Sequence, residues 1–450
     1  GSRGIVCWDV ETGERKRLYQ DTSLNPWSYE AIFKTEDGGI VTAFFDGEYT
    51  YVHKLQPGAE TGEKKIVLFQ LYEDQSMQRY ADEYSRQHPG VKIELQKLDV
   101  GNDYDTDFHR FAAQLVTGEG PDVFVMRREQ MEILQRQGVL ADLSRYLTDE
   151  TVEQIFPGVL EGGKVDGKNY GIALGCVANT LAVSESLWQK ETWDYPDIIA
   201  LMEGREAQGR KLQSIMGEGG SSGKLLEKLA IMSINAGMSS LIDEESGKCY
   251  FDTVEFVNLL ELCKAYGTEP GRDSEGESLA YHTYGDFIGF SQKMAKLGEG
   301  YRCVGFPVEE GYGGFVECTF MVGVNAKTEN EEIVRDFLQY LLSDRTQRGN
   351  GFAKTVRMDT LRNGLMEYME SMTEMDYMYG GLVLELKKDG SSYLPEYLEI
   401  MERGIPLPIW NAEIGGVILE EAEAYFNGDK PAEDVAEIIQ NRLQLYLDER

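Results

Sequence analysis

The feature that most constrains this chain is a rhythm that begins at Lys65. Ile66–Leu71 is a short apolar run, as a strand buried on both faces requires. Met77, Tyr80, Ala81 and Tyr84 then recur at helical spacing until His88-Pro89-Gly90 ends the helix. Val91, Ile93 and Leu95 alternate as a strand, and Phe108, Phe111, Ala112 and Leu115 mark a second helix. The run Asp122-Val123-Phe124-Val125-Met126 reads as the next strand. Strand–helix–strand at this spacing predicts an α/β fold with a parallel sheet covered on both faces.

The preceding residues, 1–63, read differently. Strands are expected at Ile5–Val10, Glu30–Lys34, Ile40–Phe44 and Tyr49–Lys54, broken by Glu11-Thr12-Gly13-Glu14, Asp37-Gly38-Gly39 and Asp46-Gly47. The run Trp8-Asp9-Val10-Glu11-Thr12-Gly13 resembles the end of a β-propeller blade. One blade cannot bury its own faces. The segment is therefore either the last blade of a longer N-terminal region or a small all-β appendage, with Pro57–Lys65 as linker.

Asp197–Gly267 reads as mainly helical, with one stripe of Leu225, Leu226, Leu229 and Met232 and another of Val254, Val257, Leu260 and Cys263. After Arg272, strands are expected at Phe287–Phe290, Cys303–Pro307 and Phe320–Val324. Thr328 and Glu331 suit a capping box that opens a helix running to Leu342. Two amphipathic helices, Ile414–Phe426 and Glu433–Leu447, close the chain.

A length of 450 residues suits two or three domains. With 78 acidic and 44 basic side chains, the formal charge is −34, which disfavours phosphate backbones and anionic lipid surfaces. Apolar residues at 42% and aromatics at 11% exclude a disordered acidic polymer. The six cysteines show no CxxC spacing, which argues against a zinc ribbon or a small disulfide scaffold. No apolar run reaches the ~18 residues of a bilayer span. Gly1-Ser2-Arg3 reads as a processed start, so targeting information is expected upstream.

One series of segments carries a resemblance. Gly118-Glu119-Gly120-Pro121-Asp122-Val123-Phe124, Gly138-Val139-Leu140-Ala141-Asp142-Leu143 and Asp166-Gly167-Lys168-Asn169-Tyr170-Gly171-Ile172 come first. Thr192-Trp193-Asp194, Phe337-Leu338-Gln339-Tyr340-Leu341-Leu342 with Gln347, and Tyr425-Phe426-Asn427-Gly428 with Gln440–Leu447 follow in order. Together these resemble the extracellular solute-binding proteins of the maltose-binding type that serve ABC importers. The resemblance runs from about Lys65 to Arg450.

It implies a two-lobed periplasmic-binding-protein-like fold of the class II type, with hinge crossovers and a ligand between the lobes. Residues 64–175 and 272–322 would form lobe one, and 176–271 and 323–450 lobe two. Ligand contacts would lie at the carboxyl ends of strands. The implied function is capture of a solute, a mono- or oligosaccharide, by a monomer outside the cytoplasm, anchored by lipid to the outer face of the membrane. The solute would pass to a membrane permease. No cofactor, metal or nucleic acid enters this reading.

Within that frame, Tyr72, Glu73 and Asp74 follow the first strand, where a ring and carboxylates would suit a sugar; Asp74 equally suits a helix N-terminus. Arg127, Arg128 and Glu129 follow the Asp122–Met126 strand and suit hydroxyl or carboxylate contacts, or a solvated surface. The two arginines leave an anionic ligand open. Tyr284, Asp286 and Phe287 lie where relatives place a stacking aromatic, with core packing as the other reading. Glu317 lies on a crossover approach. Trp410 and Asn411 sit in a proline-bounded loop near expected cleft contacts. Two departures stand out. Gly217-Glu218-Gly219-Gly220-Ser221-Ser222-Gly223-Lys224 replaces an aromatic-rich segment, which argues against a maltodextrin, and Ala173 replaces a proline.

Catalysis is weakly supported. The glycine-rich stretch fails as a phosphate loop by spacing and lacks the companions of a serine acylase. His53, His88, His109 and His282 fit no catalytic pattern, and Asp99–Asp107 breaks the EF-hand register at Phe108 and Gln114. Carboxylate pairs for a glycan hydrolase carry no weight in so acidic a chain. A sensor or adhesion module on the same fold is the other alternative.

Overall fold

The computed structural model describes residues 5–8, 12–13, 15–19, 31–35, 39–45, 50–55, 64–70, 75–88, 90–97, 104–116, 120–210, 212, 214–217, 222–231, 241–243, 246–267, 278–308, 311–349, 351–371, 393–407 and 412–448. These divide into two compact units, Gly1–Val67 with Asp74–Leu95, and Leu68–Glu73 with Gln96–Arg450.

In the first unit, β1 (Ile5–Trp8) pairs antiparallel with β2 (Arg15–Tyr19). A separate meander joins β3 (Ala31–Lys34), β4 (Ile40–Phe45) and β5 (Thr50–Leu55). The described strands of residues 1–63 form a two-stranded and a three-stranded sheet, and β2 lacks the apolar alternation that would have revealed it. The start of β6 (Lys64–Gln70), the helix Gln75–Gln87 and most of β7 (Val91–Lys97) complete the unit. Met77, Tyr80, Ala81 and Tyr84 are all buried on that helix, as their spacing predicts.

The second unit holds two sheets. In the first, the end of β6 pairs in parallel with β8 (Val123–Met126), and β8 pairs antiparallel with β19 (Met321–Val324), which pairs with β11 (Ile172–Ala173). The hairpin of β9 (Lys164–Val165) and β10 (Lys168–Asn169) turns at Asp166-Gly167, both with positive φ. The second sheet runs β13 (Ser214–Gly217), β16 (Ser278–Gly285), β12 (Cys176–Ser184), β18 (Phe315–Cys318) and β20 (Ile405–Pro406). A further strand, β17 (Tyr301–Cys303), also pairs with β12, and β14 (Ile242–Asp243) with β15 (Lys248–Cys249) forms a small ribbon.

This connectivity departs from the expected partition. All of 272–322 was expected in lobe one, but β16, β17 and β18 belong to the second sheet; only β19 returns to the first. Hydrogen bonding to β12 decides it, because β16 and β18 flank that strand on its two sides. Phe287–Phe290, expected as a strand, begins the helix Phe287–Leu297, since Asp286 caps it by accepting from the Gly289 N–H at 2.9 Å. The segment read as mainly helical also contains β13. In the helix Val254–Tyr266, Val254 is exposed while Phe256 and Leu259 are buried, so the apolar face is rotated from the expected stripe.

Two crossovers join the sheets. Leu174-Gly175 links β11 to β12, and Thr319-Phe320 links β18 to β19. They bond to each other, Leu174 N–H to Phe320 O at 3.2 Å and Thr319 N–H to Gly175 O at 2.9 Å. Gln347, fully buried on the helix Asp344–Gly349, fastens this junction. Its amide donates to Leu174 O and Leu341 O and accepts from Thr355 Oγ1 and Val356 N–H. Replacing Gln347 by Leu strands these buried partners, so a loss of about 2 kcal/mol is expected in chemical denaturation. A midpoint equal to the native one would show that the junction does not depend on Gln347.

Candidate functional site

The apolar run of β12 is interrupted by Asn179-Thr180. In an antiparallel sheet, residues directly opposite leave the same face. Asn179 lies opposite Tyr284 on β16 and opposite Phe315 on β18, while Val177 lies opposite Glu317 and Leu181 opposite His282. One face of the second sheet therefore gathers Asn179, His282, Tyr284 and Glu317. Lys228 reaches the same place from the turn Glu227–Ile231.

These side chains form one directed row. Lys228 Nζ lies 3.4 Å from His282 Nδ1, and His282 Nε2 lies 2.8 Å from Asn179 Oδ1. An ammonium can only donate, so Nδ1 accepts and the proton sits on Nε2, which donates to the amide oxygen. Glu317 lies beside Asn179 and Tyr284, and both neighbours favour its charged form. The row is charged at both ends and neutral between. Asn179 is 2% exposed and Tyr284 49%, so the buried middle of the row orients groups that the open end presents.

Burial acts on each member. It pushes the Lys228 ammonium and the His282 imidazole down, the latter to about 4 with Lys228 adding repulsion. It pushes the Glu317 carboxyl up, against the neighbouring Tyr284 and Asn179, which favour its charge. Burial and the neighbouring Glu317 raise the Tyr284 hydroxyl, which stays a donor. For His282 the consequence for stability has a definite sign. The unfolded chain takes a proton below about pH 6.5, whereas the folded one resists until about 4. Stability attributable to this group is therefore constant above that window and falls as pH drops through it, by roughly 3 kcal/mol. His282→Gln is expected to flatten that part of the pH–stability curve; a difference between variant and native protein that does not change between pH 6.5 and 4 would contradict the buried neutral imidazole.

The other expected site residues fall into three groups. Tyr72, Glu73, Asp74, Trp410 and Asn411 lie outside the described residues, as do Glu218 to Ser221 of the glycine-rich stretch. Arg127 and Glu129 are exposed at the end of β8 and the start of the helix Arg128–Arg136. Arg128 Nη1 donates to Leu407 O at 3.0 Å, which ties the end of the first sheet to the segment leaving β20. Asp286 and Phe287 do not contribute contacts of the expected kind. Asp286 is a helix cap, and Phe287, 1% exposed, packs edge-on against Tyr397 at 5.4 Å.

Two α/β sheets are thus joined by paired crossovers, with a polar row beside the junction. Residues 70–214 match the bacterial extracellular solute-binding protein family. The maltotriose-binding protein of Pyrococcus abyssi is 30% identical over 129 residues, 28% of this chain and 26% of that protein. The match thus spans about a quarter of that relative's length. Among solved structures, the sugar-binding protein MalE from Xanthomonas citri superposes with a TM-score of 0.59 at 13% identity, over 86% of this chain and 98% of that one. A family 1 solute-binding protein from Alicyclobacillus acidocaldarius gives 0.58 at 15% identity, over 86% and 99%. The cyclic alpha-maltosyl-1,6-maltose binding protein from Arthrobacter globiformis gives 0.55 at 14%, over 86% and 100%. At such identities the likeness establishes the fold.

The segments that carry the resemblance serve folding. Asp122 accepts from Thr328 Oγ1 at 2.5 Å and from Asn330 Nδ2 at 3.1 Å, tying β8 to the entry of the helix Glu331–Leu341. Thr328 is spent on that tie, and the helix is capped at Asn330 rather than by the expected box. Trp193 lies in the core and Asp194 caps the helix Tyr195–Ala207. Sequence reading missed Asn179, His282 and Lys228. The available signals were a polar pair inside an apolar strand and the same-face spacing of Ala280, His282 and Tyr284. Among the described residues, no cluster of His, Cys, Asp or Glu could hold a metal, and no helix is long and apolar enough to cross a membrane.

Proposed function

We propose that this solute-binding protein captures a carbohydrate, a mono- or oligosaccharide, on the face of the second sheet beside the crossovers. The observation that carries this reading is the row ending in Tyr284 and Glu317. A half-exposed ring covers the C–H face of a sugar, and the adjoining carboxylate accepts from its hydroxyls. Asn179 and His282 hold the carboxylate in place. Arg127, Arg128 and Glu129, on the first sheet's side of the junction, supply further polar contacts as the sheets close on the solute. Tyr72, Glu73, Asp74, Trp410 and Asn411 complete the proposed set. The likeness to a maltotriose-binding protein, a sugar-binding protein and a cyclic alpha-maltosyl-1,6-maltose binding protein supports the ligand class.

The protein binds rather than transforms its ligand. It works as a monomer outside the cytoplasm, held by a lipid anchor to the outer face of the membrane, and hands the solute to an ABC importer permease. A thermal-shift screen over mono- and oligosaccharides, inorganic anions and peptides tests the reading. A sugar present at 100 times its Kd should stabilise the fold by about 2.7 kcal/mol, with no product formed. Stabilisation by an anion or a peptide but by no sugar would overturn the ligand class, and a sugar consumed during incubation would overturn the binding role.

A further inference from the structure

We propose that Cys176 and Cys318 are a disulfide-forming pair that fastens the two crossovers of the hinge to each other. The two residues are direct partners across β12 and β18. Directly opposed residues of an antiparallel pair have Cα atoms about 4.5–5.5 Å apart, inside the span a disulfide bridges. Their side chains leave the sheet on the same face. Cys176 opens β12 immediately after Gly175, and Cys318 closes β18 immediately before Thr319. Each sulfur thus adjoins one crossover, and the crossovers already share hydrogen bonds, including Thr319 Oγ1 to Gly175 O at 2.9 Å.

The surroundings leave room for sulfur and little else. A Cβ at Gly162 would come within 2.9 Å of Cys318 Sγ, so the absence of a side chain there keeps the space open. Cys176 Sγ donates only to Thr355 O at 3.2 Å, a weak bond whose loss costs little. The other described cysteines have no such partner. Cys249 lies opposite Ile242, Cys303 opposite Ala182, and Cys263 is on a helix. Extracellular proteins meet conditions in which disulfides persist.

The oxidant is a small-molecule disulfide, RSSR. The Cys318 thiolate, on the half-buried residue, attacks one sulfur of RSSR; that S–S bond breaks, and the departing RS⁻ takes up the Cys318 proton. The Cys176 thiolate then attacks Cys318 Sγ of the mixed disulfide and expels the second RS⁻, which takes the Cys176 proton. Two protein thiols and RSSR become one protein disulfide and two RSH, so the protein pair is oxidised and RSSR reduced. Burial holds both thiols in the protonated form, Cys318 pushed up to about 12, so exchange in the folded protein is slow.

The test therefore closes the bond while access is open. The full chain is reduced, unfolded and refolded in a glutathione redox buffer, then digested and examined by mass spectrometry. A second sample of native protein is incubated with oxidised glutathione. A peptide linking Cys176 to Cys318, lighter by two hydrogens and cleaved by dithiothreitol, is the expected product of refolding. The oxidised chain should resist denaturant to a higher midpoint than the reduced one, and Cys318→Ser should remove that difference. If both thiols remain alkylatable after refolding, or if either links to a different cysteine, the proposal fails. If the bond forms and the denaturant midpoint does not move, its fastening role fails.

Discussion

Asn179→Ala is expected to weaken sugar binding about a hundredfold, or about 2.7 kcal/mol. Asn179 is the centre of the row. Its amide oxygen accepts from His282, and its amide favours the charged form of Glu317 beside it. Truncation leaves a buried imidazole N–H without its acceptor and frees a carboxylate to leave the position in which Tyr284 also holds it. The side chain is almost wholly buried, so it acts by positioning Glu317 and not through direct contact with ligand. Calorimetric titration and thermal melts on the same preparation separate the outcomes. A lower melting temperature with unchanged affinity would assign Asn179 to folding alone.

Trp193→Ala is expected to cost about 3–5 kcal/mol of stability, the range for deleting a large aromatic from a core. Trp193 is 1% exposed, and its Nε1–H donates to Gly305 O at 2.9 Å. Its own carbonyl accepts from the Val308 N–H, so the residue binds the strand-like segment 304–308 through both backbone and ring. That segment lies tight against its neighbour: Gly305 has a φ of +86°, and a Cβ on Gly313 would lie 2.0 Å from Phe306 O. A collapsed Trp193 cavity would therefore loosen the bridge between Gly305 and Gly313 as well. Chemical denaturation measures the effect, with Trp193→Phe recovering the packing but not the hydrogen bond. A loss below about 1 kcal/mol for the alanine variant would show that the site relaxes around the deletion.

Much of this architecture is legible because periodicity reports burial. The helix Gln75–Gln87, the strand β8 and the helices Ala412–Phe426 and Ala432–Asp448 all fall where apolar spacing places them. Partner choice between strands is a different matter. The order β13-β16-β12-β18-β20 follows from hydrogen bonds between distant segments, and no local pattern assigns Ser278–Gly285 to β12 rather than to the first sheet. The site divides in the same way. Tyr284 and Glu317 could be approached through resemblance, but their meaning depends on Asn179, which lies 103 positions from its hydrogen-bonding partner His282. Lys228 lies between them in sequence, 54 positions from His282. Single residues such as Phe287 mislead for the opposite reason: an aromatic beside a loop reads alike whether it faces solvent or core, and the Asp286 cap turns this one inward.

The central claim is that the open end of the row, Tyr284 with Glu317, receives a sugar. Isothermal titration of the native protein and of Tyr284→Ala with the same oligosaccharide tests it most directly. Tyr284 lies on the surface of β16, so its truncation should leave the melting temperature close to the native value. One sugar bound per chain is expected, with an affinity lowered about tenfold in the variant, the equivalent of losing about 1.4 kcal/mol of ring contact. Equal affinities for the two proteins, in preparations that melt alike, would place the sugar elsewhere and contradict the site described.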